Sequence, residues 1–108
     1  MDPARFGRND VSLVLLALLA DHEQYGYELV AELRRRSDGV FDLPEGTVYP
    51  ALRRLERQGL LRARWVEVPD GPRRRYYALT QAGDKVLADG REAWRQFVAA
   101  TDSVLGGA

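Results

Sequence analysis

The chain has 108 residues, 45% hydrophobic and 30% charged, which suits one domain with a small core that a second chain would help to cover. It contains no cysteine, so disulfides, thiolate metal sites and thiol catalysis are excluded. The 16 basic and 16 acidic side chains cancel, and one histidine with no repeated carboxylate or metal-ligand spacing argues against an enzyme, a metal site or a cofactor.

Residues 1–8 read as a loose arm carrying Arg5 and Arg8, without the hydrophobic region and cleavage site of a signal peptide. Asn9 and Asp10 are N-cap types for a first helix from about Val11 to Asp21. Its segment VSLVLLALLA is apolar nearly all round, which implies burial on several sides. In a domain of this size part of that burial is expected against a second chain, with Leu13 and Leu16 as candidates. The apolar run is about half the roughly 20 residues of a membrane span, so a soluble cytoplasmic protein that touches no membrane is expected.

The second helix is expected over about Tyr25 to Ser37, with Tyr27, Val30, Ala31 and Leu33 on its buried side. Arg34, Arg35 and Arg36 close its last turn, where positive charge complements the helix dipole, and Gly39 follows as a stop. Val40, Phe41 and Leu43 form a brief extended link, the candidate third strand of a small sheet.

A third helix begins at Pro44 or at Thr47. Only the later start places Pro50 in the first turn, where its missing N–H costs nothing. Val48, Leu52 and Leu55 recur at i, i+4 and i+7 on one face. The other face carries Thr47, Tyr49, Arg53, Arg54 and Arg57, and Gly59 ends the helix. Leu60 to Val68 alternates loosely, Asp70-Gly71-Pro72 is a turn signal, and Arg73 to Leu79 returns as a second strand. Arg73, Arg74 and Arg75 are expected at the tip of this hairpin, placed to reach phosphates or a minor groove.

Charge follows the same division. Residues 1–33 hold two Arg against six acids (−4), residues 34–75 eleven Arg against six acids (+5), and residues 76–108 three basic residues against four acids (−1). Such an asymmetry is the footprint of a polyanion partner, and arginine suits bidentate contacts to phosphate and guanine.

Thr80 is the N-cap of a long last helix, about Gln81 to Leu105. At about 1.5 Å per residue it is nearly 40 Å long and overhangs its own domain unless another chain covers it. Leu87, Trp94 and Thr101 are spaced by seven, as are Gly90, Phe97 and Val104, a short heptad-like seam. Leu87, Gly90, Trp94, Phe97, Val98 and Thr101, with Leu13 and Leu16, are the expected dimer interface, Gly90 permitting close approach of a partner backbone or ring. The fold expected is α+β, mainly α with a small β-hairpin. Residues 1–79 form a winged helix-turn-helix and residues 80–108 a dimerisation helix.

At this point the residues resemble the PadR-like family of bacterial transcriptional regulators. The motifs are Tyr25-Gly26-Tyr27-Glu28-Leu29, then Gly46-Thr47-Val48-Tyr49-Pro50-Ala51-Leu52-Arg53-Arg54-Leu55-Glu56, Gly59-Leu60-Leu61, Arg74-Arg75-Tyr76-Tyr77-Ala78-Leu79-Thr80 and Ala82-Gly83. The single last helix resembles the short subfamily. The resemblance implies a homodimeric repressor that binds inverted-repeat double-stranded DNA in promoters. Thr47, Tyr49 and Arg53 would then face the major groove, and Arg73 to Arg75 would belong to the wing. It further implies a planar aromatic effector at the dimer centre. Trp94 matches the tryptophan that stacks on such compounds by its place in the last helix, although Arg91 and Arg95 flank it here. A winged helix that binds protein rather than DNA is the competing function.

Overall fold

The computed structural model describes residues 11–106. In chain order the elements are α1 (Ser12–Leu19), β1 (Gln24–Tyr25), α2 (Gly26–Arg36), α3 (Glu45–Arg57), β2 (Leu61–Val68), β3 (Gly71–Leu79) and α4 (Gln81–Leu105). The expected arm and the cap candidates Asn9 and Asp10 lie outside the described residues, and Val11 holds the N-cap position of α1.

The core is built on α1. Every residue after Ser12 in this helix is apolar, and Leu15, Leu16, Leu18 and Leu19 are buried. A helix without a polar face must be wrapped, and α2, α3, β3 and α4 pack round it. Leu29 and Leu33 of α2, Val48, Ala51, Leu52 and Leu55 of α3, Leu61, Tyr77 and Leu87 complete one cluster. Each fully buried leucine contributes roughly 1.5–3 kcal/mol.

The buried stripe of α2 is Gly26, Leu29 and Leu33, rotated from the face expected from sequence. Tyr27 is 62% exposed and Ala31 is exposed. The rotation follows from Gly26, which lies against the ring of Tyr49 where α2 crosses α3. Tyr25 caps this helix, its backbone N–H donating to Glu28 Oε1 at 3.1 Å. The arginine triplet at the far end is locally neutralised: Arg34 pairs with Asp42 at 3.5 Å, Arg35 with Glu32 at 3.6 Å and Arg36 with Glu32 at 3.4 Å.

Helix α3 takes the earlier of the two starts. Pro44 is its N-cap, and the Pro44 carbonyl accepts from the N–H groups of Thr47 (2.9 Å) and Val48 (3.1 Å). Pro50 therefore falls in the second turn, and the Gly46 carbonyl lacks the N–H that residue 50 would otherwise supply. At the other end Gly59 adopts φ +79°. Leu60 N–H bonds to Leu55 O (3.0 Å) and Gly59 N–H to Glu56 O (2.9 Å), which closes the helix by the Schellman pairing.

The sheet is antiparallel with order β1-β3-β2. Its third strand is Gln24–Tyr25, not the Val40–Leu43 link. Gln24 pairs with Tyr77 and Tyr25 with Tyr76, and the buried Gln24 side chain donates to Leu18 O at 2.9 Å. Val40 is 80% exposed, and the Phe41 N–H is taken by Ser37 Oγ at 2.9 Å, so the link has neither the burial nor the free donor of a strand. In the hairpin Leu61 faces Leu79, Ala63 faces Tyr77 and Trp65 faces Arg75, with an irregularity between Val66 and Val68.

Helix α4 has the bounds and the cap expected from sequence. Thr80 Oγ1 accepts from Gly83 N–H at 3.0 Å and donates to Gly59 O at 2.7 Å, joining the start of α4 to the end of α3. The helix gives the molecule a long axis of 55 Å against 28 and 21 Å across.

Candidate nucleic-acid interface

The buried row Val48, Ala51, Leu52 and Leu55 fixes which way α3 faces outward. Opposite it lie Gly46, Pro50, Arg53 and Arg57, spaced i, i+4, i+7 and i+11 and all exposed. Arg53 and Arg57 make no hydrogen bond or ion pair with another described residue, so two fixed positive charges project from the centre of this face. Thr47 is half-buried on one flank. Arg54, on the same flank, donates through Nη2 to Ser12 Oγ of α1 at 3.0 Å.

Tyr49 sits on the other flank and does a different job from the one its position suggests. Its ring rests on Gly26, and its hydroxyl donates to Glu45 Oε1 at 3.1 Å. Burial, and then the bond to Glu45, push the phenol above its ordinary value. Tyr49 is thus a packing residue of the helix-turn-helix with one polar atom at the surface.

The wing arginines separate. None lies at the turn, which is formed at Pro69 and Asp70; all three run along β3, with Arg74 opposite Val66 and Arg75 opposite Trp65. Arg75 Nη2 donates to Glu56 Oε2 of α3 at 2.9 Å, each side chain about one-third exposed (32% and 30%). The guanidinium carbons of Arg73 and Arg75 stand 4.4 and 5.0 Å from the centre of the Trp65 ring. Arg74, on the opposite face, stands 4.5 Å from the Tyr25 ring. Arg64 pairs with Glu23, whose carboxyl that hydrogen bond holds below its usual range, and lies 5.9 Å from the Tyr76 ring. Glu56, Trp65, Tyr25 and Arg64 were not singled out from sequence. Counting back from an Asp70-Gly71 turn would place Trp65 opposite Tyr76; the turn at Pro69 and Asp70 and the irregularity between Val66 and Val68 set it opposite Arg75 instead, so that contact was not within reach of the sequence.

The expected dimer residues also divide. Leu16 and Leu87 are each 1% exposed, completed by the chain's own core, and present no surface to a partner. Gly90 serves the α1–α4 contact: a Cβ there would press on Leu13 Cδ1 of the same chain, so the close approach it permits is intramolecular. Trp94 is 39% exposed, with its ring centre 5.5 Å from that of Phe97. Phe97, Val98 and Thr101 are half-buried, and Val104 and Leu105 beyond them are 87% and 76% exposed. Among the described residues no group of three or more His, Cys, Asp or Glu could hold a metal, and no helix is long and apolar enough to cross a membrane.

This arrangement has counterparts in known proteins. A family model described as the transcriptional regulator PadR-like family matches residues 15–89. The transcriptional regulator Rv3488 of Mycobacterium tuberculosis is 39% identical over 102 residues, covering 94% of this chain and 89% of that one. The structure of a transcriptional regulator from Clostridium thermocellum superposes with a TM-score of 0.82 at 28% identity, covering 95% of this chain and 97% of the other. The structure of Bacillus subtilis PadR in complex with operator DNA gives a TM-score of 0.68 at 23% identity over 73% of this chain and 45% of that one, a likeness of fold.

Proposed function

Since the chain belongs to the PadR-like family of transcriptional regulators, we propose that it is a homodimeric repressor that sets α3 into the major groove of an inverted-repeat promoter operator. The family consists of transcriptional regulators, not enzymes. The observation that carries the DNA reading is the outward stripe of α3. Arg53 and Arg57 project from a helix whose other side is anchored by four buried residues, and neither has a hydrogen-bond or ion-pair partner among the described residues. A charge held out at this cost in self-repulsion is matched by phosphate or by a guanine edge. Arg73 and Arg74 on the adjoining hairpin extend the positive surface, and Thr47 offers a short-range contact at the start of the helix.

The dimer reading is supported by the second half of α4, where Trp94, Phe97, Val98, Thr101, Val104 and Leu105 extend past the core. On this reading residues 1–79 bind DNA and residues 80–108 pair two chains. Paired helices hold two copies of α3 about 34 Å apart, one turn of B-DNA. The Leu13–Gly90 contact joins α4 to the core helix, so a change in the angle between the paired helices moves α3 with it. A planar aromatic effector stacked near Trp94 releases the operator to the extent that it binds the two dimer geometries with different affinity.

Selection of duplexes from a randomised pool by the full chain tests this. The expected outcome is an inverted repeat with half-sites about one helical turn apart. Failure to enrich any sequence would remove the DNA reading. For the effector, planar aromatics are expected to quench tryptophan emission in the native chain and not in Trp94→Ala; quenching that survives the substitution would assign it to Trp65.

A further inference from the structure

Within the wing, one arginine is already spoken for. The face of the hairpin that packs on the core ends at the rung Ala63–Tyr77, where Tyr77 is 6% exposed. The next rung on that face is Trp65–Arg75, and Trp65 is 50% exposed. Past Tyr77 this face of the hairpin has left the hydrophobic core, and Arg75 reaches back to Glu56 in the last turns of α3 at 2.9 Å. Arg75 also lies over Trp65, which carries Arg73 on the same ring. A chain of contacts thus runs from Glu56 through Arg75 and Trp65 to Arg73, from the proposed reading helix to the outer part of the wing.

We propose that Glu56 and Arg75, with Trp65, are positioning residues that set the angle between α3 and the wing, and that Arg75 fixes operator specificity without itself neutralising a phosphate. This rests on the DNA-binding reading above. The charge of Glu56 is the second reason for it. On a helix whose exposed cations are Arg53, Arg54 and Arg57, a carboxylate weakens attraction to any polyanion. An acid there is a liability for a simple phosphate binder and is accounted for when its partner is the wing. A bridge between two partly covered side chains also holds better than one between freely exposed ends, because it is less screened by salt.

The two roles give opposite signs. If Glu56 only repels DNA, Glu56→Gln tightens binding to every duplex alike. If it positions the wing, the same substitution tightens binding to a scrambled duplex but weakens binding to the selected operator. The ratio of the two affinities is then expected to fall on the order of tenfold, the loss of one well-placed base contact. The exchange Glu56→Arg with Arg75→Glu keeps the net charge and rebuilds the bridge, so it is expected to recover most of the ratio. Trp65→Leu leaves both charges in place and is expected to lower the ratio without changing the salt slope, so the test does not depend on Glu56→Gln alone. Thermal unfolding of each variant confirms that the fold is retained. Equal tightening of operator and scrambled duplex by Glu56→Gln, with Trp65→Leu indistinguishable from the native chain, overturns the inference while leaving DNA binding intact. A native chain that discriminates between no duplexes removes the DNA reading itself.

Discussion

Two glycines inside helices give the same substitution different consequences. At an open helical site Gly→Ala gains up to about 1 kcal/mol in helix propensity. At Gly26 the new methyl overlaps the Tyr49 ring, which cannot move without leaving Glu45. Gly26→Ala is therefore expected to destabilise by about 1–3 kcal/mol in urea unfolding, the usual penalty of overpacking. At Gly90 the obstacle is the far end of the half-buried Leu13, which has other rotamers. Gly90→Ala is expected to be close to neutral, and a loss as large as that of Gly26→Ala would mean that Leu13 is locked. Tyr49 also sets an alkaline limit. Burial and the bond to Glu45 raise its phenol above 10.0, so the folded chain holds this proton more tightly than the unfolded chain. The resulting stability is complete below that ordinary value and is lost as pH rises through the raised one. Tyr49→Phe is expected to flatten the decline of stability with pH in this alkaline window; an unchanged slope would assign the decline to the other tyrosines.

Among the elements, the junction of α3, β3 and α4 rests on Thr80. Its hydroxyl caps α4 and bonds to the carbonyl of Gly59, the residue that ends α3. Thr80→Ala removes both bonds and is expected to cost about 1–2 kcal/mol, at the upper end for an N-cap, read from the urea midpoint. Thr80 and Gly59 were legible in the sequence because caps and stops are local chemistry. So were the bounds of α4 and the apolar row of α3. Strand β1 was not legible: two residues carry no alternation, and Gln24 and Tyr25 become a strand only through pairing with Tyr77 and Tyr76. The buried face of α2 was misjudged for a related reason. A helix of mixed composition offers several stripes, and contact with Tyr49, 23 positions along the chain from Gly26, selects one. In the candidate site the row of arginines was plain, but their division into free and held was not. Arg54 is held by Ser12 and Arg75 by Glu56, partners 42 and 19 residues away.

For the whole molecule, shape and charge point the same way. The radius of gyration is 15.3 Å, against about 13 Å for a compact chain of about 100 residues. The excess comes from α4, whose far half leaves the body and carries Trp94, Val104 and Leu105 outward. Trp94→Glu together with Phe97→Glu is expected to halve the mass seen by light scattering, and an unchanged mass would remove α4 as the pairing element. The neutral chain concentrates positive charge in residues 34–75, with eleven Arg against six acids. The central claim is that two of these arginines, Arg53 and Arg57, are held out for DNA. It is tested most directly by fluorescence anisotropy of an operator duplex and a scrambled duplex at about 50 and about 200 mM salt, for the native chain and for Arg53→Ala with Arg57→Ala. The expected result is tight binding to the operator alone, a steep loss at the higher salt, and a shallower salt slope by about two phosphates per chain in the variant. Equal affinity of native and variant chains for the operator, with the same salt slope, would contradict it.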